Sequence, residues 1–209
     1  MYTSRPNNNA AGNIRLFGNV RVMIISGLFV ALSIVLGKFL QIPIGDSIRI
    51  SLENLPLMMA GIFFGPFVGG AVGMGADLIG CVLKGYTINP IITLGATSIG
   101  FISGLISMYT MPLIKNFSFN VQSCGEFIIS FCKYAFSLFT PIISAHIVGS
   151  MIIKSIGLYV YYHTPMEILM WRIPTYIAIG LCEFAIIAML LSNRAFKNQL
   201  DKVCNHGRL

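Results

Sequence analysis

Long apolar stretches separated by short polar breaks make up most of this 209-residue chain. Several of them approach or exceed the roughly 18 consecutive apolar residues that distinguish a membrane-spanning helix from a buried core helix. Within each stretch the hydrophobicity is continuous, whereas a strand of a spanning β-barrel would alternate apolar and polar residues. The pattern predicts an all-α integral membrane protein with six transmembrane helices in a single domain, at 20–42, 55–64, 67–83, 91–111, 126–156 and 168–193.

The segments outside these spans are polar. Residues 1–19 predict a disordered N-terminal tail, and residues 194–209 predict a C-terminal tail after the spanning domain at 20–193. Six spans put both tails on one side. Nine of the 14 Lys and Arg residues fall on that side or in the loop after the fourth span. Because basic loops stay in the cytoplasm, we expect both termini to be cytoplasmic.

Three polar clusters lie at the opposite ends of the spans, and this orientation places them outside. They are the break at 43–53, the loop after the third span and the start of the sixth span. Charged side chains beside apolar spans are unfavourable unless they reach the membrane surface or serve a function. We therefore expect a binding site among their members, which are Arg49, then Lys84, Tyr86 and Asn89, and finally Trp171 and Arg172.

A carboxylate, Asp77, lies within the third span. It precedes Lys84 by two helical turns, which places it about 10 Å below the outer edge of the span and on the same face as Gly73. A buried carboxylate is unfavourable unless it is paired or receives hydrogen bonds. Two interpretations remain open: Asp77 pairs with a neighbouring helix, or it accepts hydrogen bonds from N–H groups of a ligand.

The sixth span carries polar residues along one face. Arg172, Tyr176, Gly180 and Glu183 follow each other at i, i+4, i+8 and i+11, so the face runs from an outer cation to a deep carboxylate. This order favours a cavity lining, although the depth of Glu183 also suits an interior structural pair. Trp171 also fits the belt of aromatic residues at the membrane surface.

Composition excludes several other classes of protein. The net charge of +7 comes from scattered residues, which indicates membrane topology rather than nucleic-acid binding. The five cysteines form no C-x-x-C pair, and His146 and His163 have no second ligand at metal spacing, so we predict neither a disulfide framework nor a metal site. We also predict no cofactor.

Sequence signatures of enzymes are missing as well. The chain contains no H-E-x-x-H, no G-x-S-x-G and no G-x-x-x-x-G-K-[ST], so it has neither a recognisable catalytic motif nor an ATPase motif. Its halves are not repeats with broken helices in matching positions, the usual sign of a secondary transporter. We therefore predict that the protein is not an enzyme and needs a partner to drive its ligand inward.

Residues 45–105 carry a family resemblance. The stretch contains R-I-x-x-x-x-L-P from Arg49, F-G-P at 64–66 and A-D-L-I-G at 76–80, followed by Y-T-I-N-P-I-I-T-L-G-A from Tyr86. With six spans and no ATPase motif, the chain resembles the substrate-binding S component of energy-coupling factor (ECF) vitamin transporters, and more specifically the folate-specific members. It departs from them at 90–94, where members often carry Pro-Gly-Phe-Thr-Leu.

The resemblance implies a role. Such a component binds a vitamin from outside a bacterial cell membrane and associates with a membrane coupling subunit and two cytoplasmic ATPase subunits. Small residues on the first span are the family's docking surface for the coupling subunit, and Gly27 and Ala31 match that pattern, with Gly in place of the commoner first Ala.

The residues of the polar clusters suit folate. The N–H groups of its pterin ring could bind Asp77 with Asn89 at the mouth, and its flat face could stack on Tyr86, Trp171 or Tyr176. Its glutamate carboxylates could pair with Arg49, Lys84 or Arg172. We therefore predict that the pterin lies deep and the glutamate outermost, with Glu183 at the base of the site.

Three other functions stay open at this stage. The first is an S component for a different vitamin or precursor, such as pantothenate or a deazapurine. The second is a membrane enzyme acting on lipid substrates, which would need a catalytic dyad at one membrane face that the sequence does not contain. The third is a structural or assembly protein, which would bind no small molecule and would tolerate loss of Arg49 and Arg172.

Overall fold

The structure is a computed structural model, and it describes residues 19–38, 41–44, 48–110, 124–163 and 165–205. Its elements in chain order are α1 (Val20–Lys38), β1 (Ile42–Ile44), β2 (Ile48–Ile50), α2 (Asn54–Phe64), α3 (Pro66–Lys84), α4 (Pro90–Thr110), α5 (Cys124–Ala145), a π-helical segment (His146–Ile153), α6 (Lys154–Tyr162), α7 (Met166–Ser192) and α8 (Arg194–Asn205). The predicted helical fold class is confirmed, and the predicted N-terminal tail at 1–19 lies almost wholly outside the described residues.

Five described helical stretches are long and apolar enough to cross a membrane. They are Val20–Gly37, Pro66–Lys84, Pro90–Thr110, Cys132–Tyr161 and Met170–Ser192. Helix α2 is shorter, with 11 residues, and ten of them are buried inside the bundle. The count of six spans and the side on which the termini lie stay predictions.

Helices α3 and α4 make the closest contact in the bundle, and glycine makes it possible. A Cβ atom at Gly100 would overlap the carbonyl of Gly69, and a Cβ atom at Gly73 would overlap the carbonyl of Ala96. The small residues of the third and fourth spans therefore serve packing within the chain, because they let two helix backbones approach closely. Gly65 connects α2 to α3 with a φ of 97°, a backbone conformation that favours glycine.

A short antiparallel hairpin covers one end of the bundle. Ile42 pairs with Ile50, and Pro43 pairs with Arg49. The prediction that the first span continues to residue 42 is therefore wrong: α1 ends at Lys38, and residues 42–44 satisfy their backbone groups by strand pairing instead. The sequence pattern indicates a polar break here but does not predict its strands.

The fifth predicted span is longer than expected, because helical structure runs from Cys124 to Tyr162. Pro141 lies inside it and cannot donate a backbone hydrogen bond to the carbonyl of Ser137. That carbonyl accepts a hydrogen bond from the Thr110 hydroxyl of α4 at 3.0 Å instead. The π-helical segment begins five residues later, at His146.

The C-terminal segment, predicted as a tail, contains helix α8. Its apolar face packs against the bundle: the Phe196 ring lies 5.6 Å from the ring of Phe63, and Leu200 and Val203 contact the buried core. The side chain of Asn19, before α1, donates a hydrogen bond to the carbonyl of Val203 at 3.3 Å. This end of the bundle, opposite the hairpin, therefore holds both described chain ends.

Candidate substrate-binding site

A small polar cavity lies at the hairpin end of the bundle, between five helices. Its volume is about 30 Å³, which is room for one or two water molecules. The side chains around it include two carboxylates, an ammonium and an amide among apolar neighbours. The lining residues are Ser33, Ile34, Glu53, Asn54, Leu57, Gly73, Ala76, Asp77, Ala96 and Lys154.

Lys154, the first residue of α6, supplies the buried cation of this cavity. Lys154 is only 8% exposed to solvent. The ammonium donates to Glu53 Oε1 at 3.2 Å and to Asn54 Oδ1 at 3.4 Å. These bonds hold α6 against the start of α2, directly after the hairpin. Neither Lys154 nor Glu53 is among the residues predicted from the sequence, although a lysine inside a predicted span is a signal that could have identified the site.

Asp77 faces the same cavity from α3. Its Oδ2 atom accepts a hydrogen bond from the Thr93 hydroxyl of α4 at 2.6 Å. Its other carboxylate oxygen has no hydrogen-bond partner among the described residues. The first interpretation describes the structure, because Asp77 is bonded to a neighbouring helix. Acceptance of hydrogen bonds from a ligand stays a prediction, for which Asp77 keeps acceptor capacity toward the cavity.

Asn89 lies one turn before Thr93 and directly precedes helix α4. Its Oδ1 atom accepts the backbone N–H of Ile91 at 3.0 Å, as a residue at a helix start commonly does. Its carbonyl accepts a hydrogen bond from Thr93 at 3.1 Å. The Nδ2 group of Asn89 is buried and has no partner in the described part of the chain. A buried donor left in this state is unfavourable until a ligand or water accepts from it.

The predicted polar face of the sixth span exists on α7. Arg172 donates to the Tyr176 hydroxyl at 2.9 Å, and its guanidinium lies 5.3 Å from the centre of that ring. The Tyr176 ring lies 5.4 Å from the ring of His146 in the π-helical segment. Glu183 is fully buried and bonds His146 Nε2 at 2.6 Å.

The polar groups of this face form a line along α7, and they pack against other parts of the bundle. The His146–Glu183 contact is an interior pair, the alternative weighed for Glu183. Two buried atoms along the line, Arg172 Nη1 and Glu183 Oε1, have no hydrogen-bond partner within the described ranges. Helix α7 also contacts strand β2 of the hairpin, which is next in the chain to Glu53 of the cavity lining. The cavity and the upper part of the α7 face are therefore parts of one polar region.

The remaining predicted residues lie around this region without lining the cavity. Arg49 is in strand β2, and its side chain is outside those described. Lys84 and Tyr86 are exposed at the end of α3 and in the loop after it, and Trp171 is 66% exposed. All of them lie at the hairpin end of the bundle.

The described residues contain no group of three His, Cys, Asp or Glu side chains that could hold a metal ion. The described cysteines Cys81, Cys132 and Cys182 are free thiols. The side chains around the cavity offer hydrogen bonding and charge pairing.

Comparison with known proteins identifies the family. The sequence model of the family "ECF transporter, substrate-specific component" matches residues 21–193. The chain belongs to this family. Membership makes it the substrate-binding component of a transporter that works with an energizing module, and it places the chain among transport proteins rather than enzymes. No curated protein matches the chain significantly in sequence.

Solved structures share the fold. A FolT structure with bound folic acid matches with a TM-score of 0.58 at 17% identity, covering 80% of this chain and 90% of FolT. ThiT from Listeria monocytogenes matches with a TM-score of 0.64 at 18% identity, covering 88% of this chain and 96% of ThiT. The S component of a bacterial ECF transporter matches with a TM-score of 0.55 at 21% identity, covering 86% of this chain and 96% of the other. At these identities the likeness establishes the fold alone.

Proposed function

We propose that this protein captures folate outside a bacterial cell membrane and delivers it to an ECF energizing module, composed of a membrane coupling subunit and two cytoplasmic ATPases. The observation that carries the proposal is the carboxylate of Asp77, which lines a polar cavity and keeps one oxygen available. A pterin ring presents adjacent N–H groups that a carboxylate can accept as paired hydrogen bonds. The folate-like sequence pattern at 45–105 surrounds this residue.

The rest of folate fits the outer part of the region. Tyr176 beside Arg172 offers an aromatic face and a cation at the mouth, and Asn89 offers its unpaired donor. The exposed positions of Lys84, Tyr86 and Trp171 suit contacts with the aminobenzoyl-glutamate part, whose carboxylates would stay near water. A cavity of about 30 Å³ cannot hold a pterin ring, so binding requires its lining side chains to separate.

The charge of the cavity supports a second candidate, a cationic vitamin such as thiamine. Glu53 and Asp77 bring two negative charges against the single positive charge of Lys154, so the cavity favours ligand groups that donate hydrogen bonds or carry positive charge. The same balance disfavours pantothenate, an anion without an N–H-rich ring. A deazapurine shares the donor pattern and stays an alternative for competition experiments.

Calorimetric titration of the purified full-length protein in detergent tests the proposal. We expect saturable binding of folate at nanomolar concentration, together with a change in the fluorescence of Trp171, the single tryptophan, after correction for absorption by folate. Thiamine, pantothenate and a deazapurine should not compete. Tight binding of any of these ligands without binding of folate would transfer the assignment to that ligand. Absence of binding throughout the panel would refute the proposed class of substrate.

A further inference from the structure

The ammonium of Lys154 has hydrogen-bonding capacity that the protein does not use. A lysine has three N–H donors, and the bonds to Glu53 and Asn54 occupy two of them. The third N–H has no acceptor among the described residues. Asp77, on the opposite helix, likewise keeps a carboxylate oxygen without a partner in the described part of the chain. One unused donor and one unused acceptor therefore line the same cavity.

The two groups face the same small cavity. Both line a space of about 30 Å³, and Asp77 lies within electrostatic range of the Lys154 ammonium. Each group has its own anchor, which can persist when the lining side chains separate: Asp77 is bonded to the Thr93 hydroxyl at 2.6 Å, and Lys154 is bonded to Glu53 and Asn54. Preorganised donors and acceptors discriminate between ligands, because a mismatched ligand leaves a buried polar group unpaired.

We propose that Lys154 is a specificity-determining residue that selects a 2-amino-4-oxo ring edge over its 2,4-diamino counterpart. This inference rests on the proposed folate function. The 2-amino group and the neighbouring ring N–H donate to Asp77, and the ring carbonyl at position 4 accepts from Lys154. In a 2,4-diaminopteridine the carbonyl is replaced by an amine, so a donor faces the donor of Lys154 and the adjacent ring nitrogen has no hydrogen.

Protonation strengthens this selection. A diaminopteridine readily takes up a proton beside a carboxylate, and the resulting cation would suit Asp77 alone. The fixed ammonium of Lys154 opposes that cation by like-charge repulsion in a region of low dielectric constant. Without Lys154, the cavity would lack its cation beside Asp77 and would favour the diamino ring.

Folate and aminopterin form a matched pair of probes, because they differ only in the oxo or amino group at position 4. We expect the wild-type protein to bind folate more tightly than aminopterin by roughly tenfold to a hundredfold, the range for a hydrogen bond to a charged group. In the double variant E53Q/K154M this preference should disappear or reverse. The double variant removes both partners of the ion pair, since removal of Lys154 alone would leave Glu53 uncompensated beside Asp77.

Two control variants isolate the role of Lys154. Glu53→Gln keeps the lysine and should keep the preference for folate. Lys133→Met removes an exposed lysine at the other end of the bundle and should leave both affinities unchanged. Thermal unfolding in detergent checks that each variant is folded. If the double variant is unfolded, Lys154→Arg replaces it. This variant keeps an N–H donor at position 154 and should retain the preference for folate.

The outcomes separate the two proposals. Two results would overturn the role of Lys154 while leaving the folate function in place. The first is an equal preference for folate in the wild-type protein and in a folded E53Q/K154M protein. The second is loss of that preference in K154R while folate still binds. Equal affinity of the wild-type protein for both probes would also overturn it. Failure of wild-type protein to bind folate would refute the proposed function itself, and this inference with it.

Discussion

Two carboxylates in apolar helices, Asp77 and Glu183, have different surroundings. Glu183 is fully buried and bonds His146 at 2.6 Å, so its carboxylate is already paired within the protein. Asp77 bonds only the hydroxyl of Thr93 within the described ranges and lines a cavity beside a lysine. A carboxylate that accepts a hydrogen bond only from a hydroxyl has more to gain from ligand N–H groups. Asp77 is therefore the better candidate for ligand recognition.

Alanine at Asp77 should weaken folate binding by roughly tenfold to a hundredfold, because paired N–H donors of the ligand would lose a charged acceptor. Alanine at Lys84 should weaken it by less, because that side chain is exposed and its interactions are screened by water and salt. Calorimetric titration of both variants measures the difference. Equal and negligible effects would remove both residues from the site.

At the scale of elements, the α3–α4 contact sets the position of the site. Asp77 and Thr93 face each other across it, and so do Gly73 and Ala96. The glycine contacts bring the two backbones together, which lets the short aspartate side chain reach a hydroxyl on the next helix. The hairpin and the start of α2 then bring Glu53 to Lys154 from the other side.

Gly100→Ala should destabilise the bundle, because the added Cβ would overlap the backbone carbonyl of Gly69, which cannot move aside without separating the helices. Overpacking of this kind costs about 1–3 kcal/mol or more. Gly27→Ala is the matched control: no atom lies within 4 Å of its added Cβ, so the variant should be neutral or slightly stabilising. Thermal unfolding in detergent compares the two, and an equal melting temperature for G100A and wild-type would contradict the packing argument.

At the scale of the whole molecule, helix α1 presents an apolar face that the rest of the bundle leaves open. Val20, Ile24 and Leu28 are each at least 60% exposed, and Gly27 and Ala31 lie on or beside the same surface. A membrane exposes such faces to lipid, and small residues on them permit close approach by another helix. This arrangement supports the predicted docking of the coupling subunit at Gly27 and Ala31.

Gly27→Trp should therefore reduce uptake by the assembled transporter without changing the folate affinity of the isolated protein. The bulky ring would keep a partner helix from the α1 backbone while leaving the cavity untouched. Met189→Trp on α7, where the methionine is 79% exposed, is a control for adding an aromatic ring to a different membrane-facing position. Uptake of labelled folate into vesicles, measured beside calorimetry, distinguishes the two effects. Unimpaired uptake by G27W would count against docking at this position.

The sequence by itself determined the helical membrane class and the end of the molecule where the polar residues gather. The length and composition of the apolar stretches are sufficient for this prediction, because a chain in lipid must satisfy its backbone hydrogen bonds within each segment. Asp77 and the polar face of Arg172, Tyr176 and Glu183 could be identified for the same reason: each is a polar group at a readable position along a single apolar helix.

Tertiary structure alone decided which of these groups meet. Glu53 and Lys154 are 101 residues apart in the chain, and Glu183 and His146 are 37 apart. No local periodicity records such pairs, since they depend on how closely α3 and α4 pack and on where the hairpin returns the chain to the bundle. The cavity, its charge balance and the unused donor of Lys154 exist only because the folded bundle brings these distant residues together.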